Sequence, residues 1–278
     1  MSTVIITAAL TGPIATKDDN PALPTSPEEI AVSAKGAYEA GAAIVHVHLR
    51  DAQGRPTAHL DVARRVVEAI GEACPEVIIQ LSTGAGLEVP YEDRMKIAEA
   101  RPAMATLNPC TMTFGTGEFR NPPHQMRTLA ARMMELGIKP ELEIYDTGHL
   151  EMGLALLHEG LLAEPLQVSF VMGVRGGMPA DPALLSYLVA HLPSGTNWQV
   201  IGVGKANLPM TSIGLAMGGN ARTGLEDTLM LEKGRPATSN AELVARLVGV
   251  ARMLQREPAT VAEVVDILKL PSTPGRAG

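Results

Sequence analysis

The segment His46-Val47-His48 places two imidazoles two residues apart in a run of β-branched residues. On a strand such side chains point to the same face, about 6.6 Å apart along the chain, so both rings can bind one divalent ion. Glu226 is the best candidate for a third ligand. Two histidines and one carboxylate leave an open coordination position, which is typical of a catalytic Zn²⁺. Non-haem Fe²⁺ uses similar ligands, and an isolated H-x-H pair can also be purely structural.

A second cluster of ionisable residues lies within six positions of the sequence, from Arg222 to Asp227. Arginine stays protonated, so Arg222 is suited to binding a carboxylate or stabilising an enolate rather than to acting as a base. Asp227 is then the candidate base, or the group that orients one. Glu143 is predicted to face the same interior and could orient a ligand or a water. The alternative is that Arg222 forms a simple ion pair with a neighbouring carboxylate and has no part in catalysis.

Three loops of small residues could bind anionic groups through backbone N–H groups. Residues 82–86 are predicted to hold a substrate carboxylate, and residues 173–178 and 202–205 a phosphorylated cofactor. An ordinary strand-to-helix turn is the alternative for each loop. The candidate contacts are Ser82 and Gly84 in the first loop, Arg175 in the second, and Gly202 and Gly204 in the third.

The composition excludes several classes of function. The chain has 278 residues, with 23 Lys and Arg against 30 Asp and Glu, a net charge of −7 and only 3% aromatic residues. These values argue against nucleic acid as a partner, and no stretch reaches the roughly 18 apolar residues of a membrane span. The two cysteines and an N-terminus without a basic region before its apolar run predict a cytoplasmic protein.

The elements that must position these residues alternate between β-branched runs and segments of helical periodicity. Such an order predicts a parallel sheet, and eight βα units in about 250 residues are what a (β/α)8 TIM barrel of the α/β class requires. A doubly wound open sheet is the alternative, but its usual G-x-G-x-x-G does not follow the first run. We predict one barrel domain over residues 1–270, with an extra helix near 261–268, and a flexible tail over 271–278. The eight runs are 4–10, 42–49, 76–82, 104–108, 141–146, 166–173, 198–204 and 220–227.

Alternation along the strands places polar residues on one face, near the C-terminal strand ends that form the active-site face of such barrels. Burying several ionisable groups together is costly unless they are paired or bind a metal. The set therefore predicts an active site in the barrel mouth. The residues sharing this face are His46 and His48, Gln80 and Ser82, Thr106 and Asn108, Glu141, Glu143 and Tyr145, and Arg222 and Glu226.

In this order, the segments resemble the β-keto acid cleavage enzymes (BKACE), the family that includes the 3-keto-5-aminohexanoate cleavage enzyme of lysine fermentation. The resemblance extends over nearly the whole chain. It is carried by residues 5–9 (IITAA), 42–48 (AAIVHVH), 77–84 (VIIQLSTG), 104–107 (MATL), 139–143 (KPELE), 202–204 (GVG) and 222–227 (RTGLED).

The resemblance implies a barrel usually assembled as a tetramer, with Zn²⁺ on His46, His48 and Glu226. It also implies that a β-keto acid and acetyl-CoA give acetoacetate and a new acyl-CoA, the metal acting as a Lewis acid for the enolate. As a hypothesis, a proton leaves C2, the carbanion attacks acetyl-CoA, and the released thiolate drives a retro-Claisen cleavage. We predict catalytic roles for Ser82, Glu143, Arg222 and Asp227, and substrate contacts for Ser82, Gly84, Thr106, Asn108 and Ile14.

One position departs from the aminohexanoate-cleaving members, which carry a glutamate where this chain has Ile14. An acid there would suit a cationic amino substrate, so Ile14 predicts a neutral or apolar β-keto acid instead. A metal-dependent hydrolase of the amidohydrolase type is the alternative function, although its H-x-H lies on the first strand and is followed by further histidines. A ligand-binding barrel without catalytic activity is a third possibility.

Overall fold

The computed structural model describes residues 2–270, in which strands alternate with helices. The tail predicted over 271–278 lies outside the described residues. The strands are β1 (Ser2–Val4), β2 (Ile6–Thr11), β3 (Ile44–Val47), β4 (Ile78–Leu81), β5 (Met104–Leu107), β6 (Met112–Phe114), β7 (Gly117–Phe119), β8 (Lys139–Ile144), β9 (Gln167–Met172), β10 (Asn197–Gly202), β11 (Asn220–Thr223), β12 (Met230–Glu232), β13 (Arg235–Pro236) and β14 (Arg256–Pro258). The α-helices are α1 (Pro27–Glu39), α2 (Leu60–Ala73), α3 (Tyr91–Met95), α4 (Pro123–Glu135), α5 (Thr147–His158), α6 (Pro182–Ala190), α7 (Asn207–Ala216), α8 (Asn240–Met253) and α9 (Val261–Leu268).

Eight parallel strands form a closed barrel in the order β2-β3-β4-β5-β8-β9-β10-β11, with β11 pairing back to β2. The predicted (β/α)8 fold is therefore confirmed, and each of the eight predicted runs overlaps one barrel strand. The division of the chain into one domain over residues 1–270 stays a prediction. Within residues 2–270, no helix is both long enough and apolar enough to cross a membrane.

Local sequence determines how the helices start. At α1, the Ser26 hydroxyl accepts a hydrogen bond from the Glu29 amide at 3.2 Å, and the Glu29 carboxylate accepts one from the Ser26 amide at 3.3 Å. This reciprocal cap satisfies two backbone N–H groups that the first turn would leave unpaired, and Pro27 suits the first helical position. The helix then packs its apolar face on the barrel, where Val45 and Val47 point outward into the same core cluster.

The barrel interior has three levels. At the N-terminal end, Ile44, Ile78 and Met104 pack against Val264 and Leu268 of α9, which covers this end. The functional residues lie at the opposite end, the mouth. Between the two is a level that we call the middle layer, which is polar although bulky branched residues dominate most such interiors. The middle layer consists of Thr7, Gln80, Glu141, Ser169 and Gln199, all buried.

Within the described residues 2–270, three short strand pairs lie outside the barrel and were not predicted from periodicity. The β6–β7 hairpin follows β5 at the mouth, the β12–β13 hairpin follows β11, and β1 pairs with β14 in parallel. Phe114 and Phe119 of the first hairpin pack edge to face with ring centroids 6.2 Å apart. This hairpin therefore adds aromatic walls to the mouth of the barrel.

Candidate active site

His46, His48 and Glu226 converge at the mouth, from the end of β3 and from the segment after β11. The Nε2 atom of His46 lies 3.4 Å from Glu226 Oε2, and the Nε2 atom of His48 lies 3.5 Å from Glu226 Oε1. One potential ligand atom from each residue lies within 4.8 Å of the other two. Among the described residues, His46 Nε2 and Glu226 Oε2 are buried without a hydrogen-bond partner. A divalent ion between them would satisfy both atoms, so the three residues fit a metal site.

Two glycines allow Glu226 to reach the histidines. Gly224 has φ +151°, and a Cβ atom there would lie 2.0 Å from the carbonyl oxygen of Ala9. The backbone of the eighth strand therefore passes against the first, and the Glu226 amide donates to Ala9 O at 3.2 Å. A Cβ atom on Gly12 would lie 2.7 Å from Glu226 Cγ. Glycine at position 224 thus lets the two strands approach, and glycine at position 12 leaves room for the Glu226 side chain.

Arg222 lies beside this cluster with three carboxylates around its buried guanidinium. It donates to Asp227 at 3.0 and 2.8 Å, to Glu226 Oε1 at 2.8 Å and to Glu143 Oε1 at 3.1 Å. The Tyr145 hydroxyl donates to the other oxygen of Glu143 at 3.1 Å. One cation thus fixes the positions of a metal-ligand candidate and of two further acids.

Burial and neighbouring charges separate the pKa values of these acids. Burial raises the pKa of Asp227 and that of Glu143 above their ordinary values, although Arg222 opposes the rise in both. Burial would also raise the pKa of Glu226, but His46 and Arg222 outweigh it and hold that pKa well below its usual range. Asp227 and Glu143 are therefore more basic than surface acids, whereas Glu226 favours the ionised form that a metal ligand requires.

Two adjoining cavities open onto the cluster. The first, of about 620 Å³, reaches His48, Ser82 and Glu143 and is lined mostly by apolar side chains. The second, of about 460 Å³, reaches Arg222 and Asp227. The residues that line both cavities are Pro13, Ile14, Leu87, Phe114, Tyr145 and Glu226.

Of the predicted substrate contacts, Ile14, Ser82 and Gly84 line the cavities, whereas Thr106 and Asn108 are buried and line neither of the two. Ser82 and Gly84 line the first cavity. Thr106 supports their loop, because its hydroxyl accepts from the Thr83 amide at 3.0 Å. The buried Asn108 has no hydrogen-bond partner for its amide nitrogen or oxygen in the part of the chain that the structure describes.

The predicted cofactor contacts are placed differently from one another. The exposed Arg175 lines the second cavity. Gly202 is buried, and a Cβ atom on it would lie 2.3 Å from the carbonyl oxygen of Ala206. Gly204 is exposed, and its amide donates to the carbonyl of Asp227 at 2.7 Å. The structure thus brings Arg175 to the cavities, whereas Gly202 packs against its own loop.

Two buried arginines that the sequence analysis did not select support the mouth. Arg50 donates to the carbonyls of Gly12 and Ala15, and so holds the loop that carries Ile14. Arg94 donates to the carbonyl of Thr83 at 2.7 Å and thereby supports the Ser82 loop. The sequence around each arginine does not indicate that it is buried, because each lies in a polar segment that is typical of a protein surface.

The H-x-H pair lies at the C-terminal end of β3, the second strand of the barrel, and its third neighbour is a carboxylate that follows the eighth. This placement fits the β-keto acid cleavage enzymes better than a hydrolase of the amidohydrolase type, for which we expected the pair on the first strand.

Comparisons with known proteins agree with this assignment. Residues 3–270 match the family described as "BKACE: beta-keto acid cleavage enzyme". The chain is 40% identical to the 3-keto-5-aminohexanoate cleavage enzyme of Fusobacterium nucleatum, over 97% of this chain and 99% of the relative. It is 37% identical to the 3-oxoadipate:acetyl-CoA acetyltransferase of Cupriavidus necator, over 96% and 95% of the two chains.

A solved structure, the ternary complex of ObcA with C4-CoA adduct and oxalate, has the same fold. The TM-score is 0.79 at 21% identity, with 90% of this chain and 68% of that chain covered. The barrel, the site and the sequence comparisons lead to one conclusion: this chain belongs to the β-keto acid cleavage enzyme family.

Proposed function

We propose that this protein is a Zn²⁺-dependent acyltransferase that converts a β-keto acid and acetyl-CoA into acetoacetate and a new acyl-CoA. The observation that carries the proposal is the His46, His48 and Glu226 cluster beside the Arg222–Asp227 pair, where two cavities meet. The names of relatives support it: one is a 3-oxoadipate:acetyl-CoA acetyltransferase, another a 3,5-dioxohexanoate:acetyl-CoA acetone transferase.

The residues at the mouth would bind the carboxylate end of the β-keto acid. Ser82 and Gly84 line the first cavity, and the unpaired amide of Asn108 is buried on the same side of the barrel. Bound Zn²⁺ would supply Lewis acidity that stabilises the enolate form of the substrate. Hydrogen bonds from Ser82 would stabilise the oxyanions that develop as carbon–carbon bonds form and break.

Asp227 is the proposed base that takes the proton from C2. Its raised pKa makes it a better proton acceptor than an ordinary aspartate, and Arg222 fixes its orientation. The carbanion then attacks the thioester carbonyl and expels the CoA thiolate, which in turn attacks the former ketone. Cleavage of the old carbon–carbon bond releases acetoacetate, and Asp227 returns the proton. Glu143 holds Arg222 from the other side.

The two cavities suit the two substrates. The second cavity contains the Arg175 guanidinium, which would attract the phosphates of acetyl-CoA. The first is walled by Leu87, Phe114 and Phe119 and would hold the acyl chain. Because the named relatives act on different β-keto acids, we take the substrate class from this wall and propose a neutral or apolar acyl group. We further propose a homotetramer, as the family resemblance implies, and a cytoplasmic location, which two cysteines without a disulfide framework suit.

The test is a panel of β-keto acids incubated with acetyl-CoA, with chromatography of the CoA species. We expect acetoacetate and one new acyl-CoA in equal amounts. His46→Ala should lose both bound Zn²⁺ and turnover, whereas His124→Ala, on the exposed first turn of α4, should keep both. Release of free CoA and acetate, or full activity in a metal-free His46→Ala protein, would contradict the proposal.

A further inference from the structure

We propose that Gln80 and Glu141 are positioning residues that act from the middle layer and fix the tautomer and orientation of His46 as a metal ligand. This inference rests on the proposed function, since it takes His46 to bind the metal. Neither residue touches the cavities, and both are fully buried. Their effect must therefore pass through His46.

Gln80 decides which nitrogen of His46 carries the proton. Its side-chain oxygen lies 2.7 Å from His46 Nδ1, and an amide oxygen can only accept a hydrogen bond. The neutral imidazole must therefore carry its proton on Nδ1. The lone pair is left on Nε2, the atom that lies 3.4 Å from Glu226 and has no hydrogen-bond partner in the described structure.

Glu141 in turn decides which way the Gln80 amide points. The Gln80 amide nitrogen donates to Glu141 Oε2 at 2.9 Å. If the amide turned over, its oxygen would face the Glu141 carboxylate and its nitrogen would face His46 Nδ1. The reversed arrangement loses the hydrogen bond to Glu141 and brings two acceptor groups together, so Glu141 favours the orientation in which the Gln80 oxygen accepts from His46.

The rest of the middle layer holds Glu141 itself. Glu141 accepts from the Ser169 hydroxyl at 2.7 Å and from the Gln199 amide at 3.2 Å. Gln199 also accepts from the Thr7 hydroxyl at 3.1 Å. A carboxylate at this depth is expensive to bury, and three donors offset that cost. The chain of hydrogen bonds therefore runs from the barrel centre to one metal-ligand candidate, His46.

Removing such an outer partner of a metal-binding histidine typically weakens metal affinity 10- to 100-fold. We therefore expect Gln80→Met to bind Zn²⁺ about 10- to 100-fold more weakly than the wild type, and Glu141→Gln about 10-fold. The double variant Gln80→Glu/Glu141→Gln exchanges acceptor and donor but keeps an acceptor for His46. We expect it to recover an affinity within about threefold of the wild type.

The measurement is the Zn²⁺ dissociation constant of the apoprotein, by competition with a chromogenic chelator. Thr7→Val is the matched control, because it removes a hydroxyl from the same layer that contacts Gln199 rather than Gln80. Thermal unfolding of each apoprotein shows whether weaker Zn²⁺ binding by a variant is due to loss of its fold. If Gln80→Met is unstable, Glu141→Gln and the double variant, which keep the size of each side chain, still test the inference.

The expected result is weak Zn²⁺ binding in Gln80→Met and Glu141→Gln, near-normal binding in Thr7→Val and recovery in the double variant. Equal affinities in all four would overturn the inference and leave the proposed function intact. The same holds if the double variant binds Zn²⁺ no better than Glu141→Gln alone. Absence of Zn²⁺ binding in the wild type would overturn the proposed function, and this inference with it.

Discussion

Arg222 donates two parallel hydrogen bonds to Asp227, from Nε to Oδ2 at 3.0 Å and from Nη2 to Oδ1 at 2.8 Å. This fork geometry fixes the plane of the carboxylate as well as its position. The same Nη2 atom also donates to Glu226 at 2.8 Å. The proposed base and a metal-ligand candidate are therefore held by one guanidinium, so neither can shift without disturbing the other.

Asp227→Asn tests the base directly. The amide keeps the shape of the side chain but cannot take a proton, so we expect kcat to fall by about 10²- to 10⁴-fold with bound zinc unchanged. Asp181→Asn is the matched control, since Asp181 caps α6 outside the site and asparagine caps equally well. Steady-state kinetics with zinc analysis measure both quantities. A loss of kcat below tenfold would refute the assigned role.

Ile14→Glu tests the substrate class. Ile14 is 69% exposed and lines both cavities, so a carboxylate there would favour a cationic β-keto acid. Because solvent screens an exposed charge, we expect kcat/KM for an amino substrate relative to a neutral one to rise only about three- to tenfold. Ile14→Gln should leave the ratio unchanged. A wild type that already prefers the amino substrate would contradict the neutral acyl class.

Gly224→Ala tests the close contact that places Glu226. The new Cβ atom would overlap the Ala9 carbonyl, so we expect about 3 kcal/mol or more of lost stability and weaker zinc binding. Gly249→Ala makes the same change at an exposed position in the middle of α8, where the new methyl group meets nothing within 4 Å. This change should raise the free energy of unfolding by about 1 kcal/mol. Denaturant unfolding measures both. Equal effects of the two changes would show that the contact is unimportant.

Lys139 predicts a pH dependence of stability. Burial lowers its pKa to about 8 from an ordinary value of 10.5, while its ammonium group donates to the carbonyls of Ala163 and Pro165. Between these two pKa values the unfolded chain binds more protons than the folded protein, so stability rises with pH. The free energy of unfolding of the wild type, relative to Lys139→Met, should therefore increase by about 2–3 kcal/mol from pH 7 to pH 10.5. A constant or falling difference would contradict this assignment.

The barrel was predictable because each strand carries its own signal. Runs such as 42–49 and 76–82 are rich in valine and isoleucine, and β3 and β4 lie inside them. The β6–β7 hairpin was missed because its strands have three residues each, too few for an alternating pattern. Its aromatic walls at the mouth therefore became visible only in the structure.

The candidate site was predictable where strand parity decides direction. His46 and His48 share the inner face, and the structure places both beside Glu226. Parity also puts Gln80 and Glu141 inside, but it does not say that they touch, because their contact depends on the tilt and register of three strands. Long-range partners of this kind need the folded barrel.

The cover that α9 forms over the N-terminal end of the barrel has a kinetic consequence. With that end closed by apolar side chains in residues 2–270, the proposed metal ion, β-keto acid and acetyl-CoA would all enter and leave at the mouth. A bound β-keto acid would then stand between the proposed metal ion and the solvent. Under the proposed function, the rate at which a chelator removes zinc should therefore fall as the β-keto acid saturates the site, because the bound substrate blocks the route by which the metal leaves.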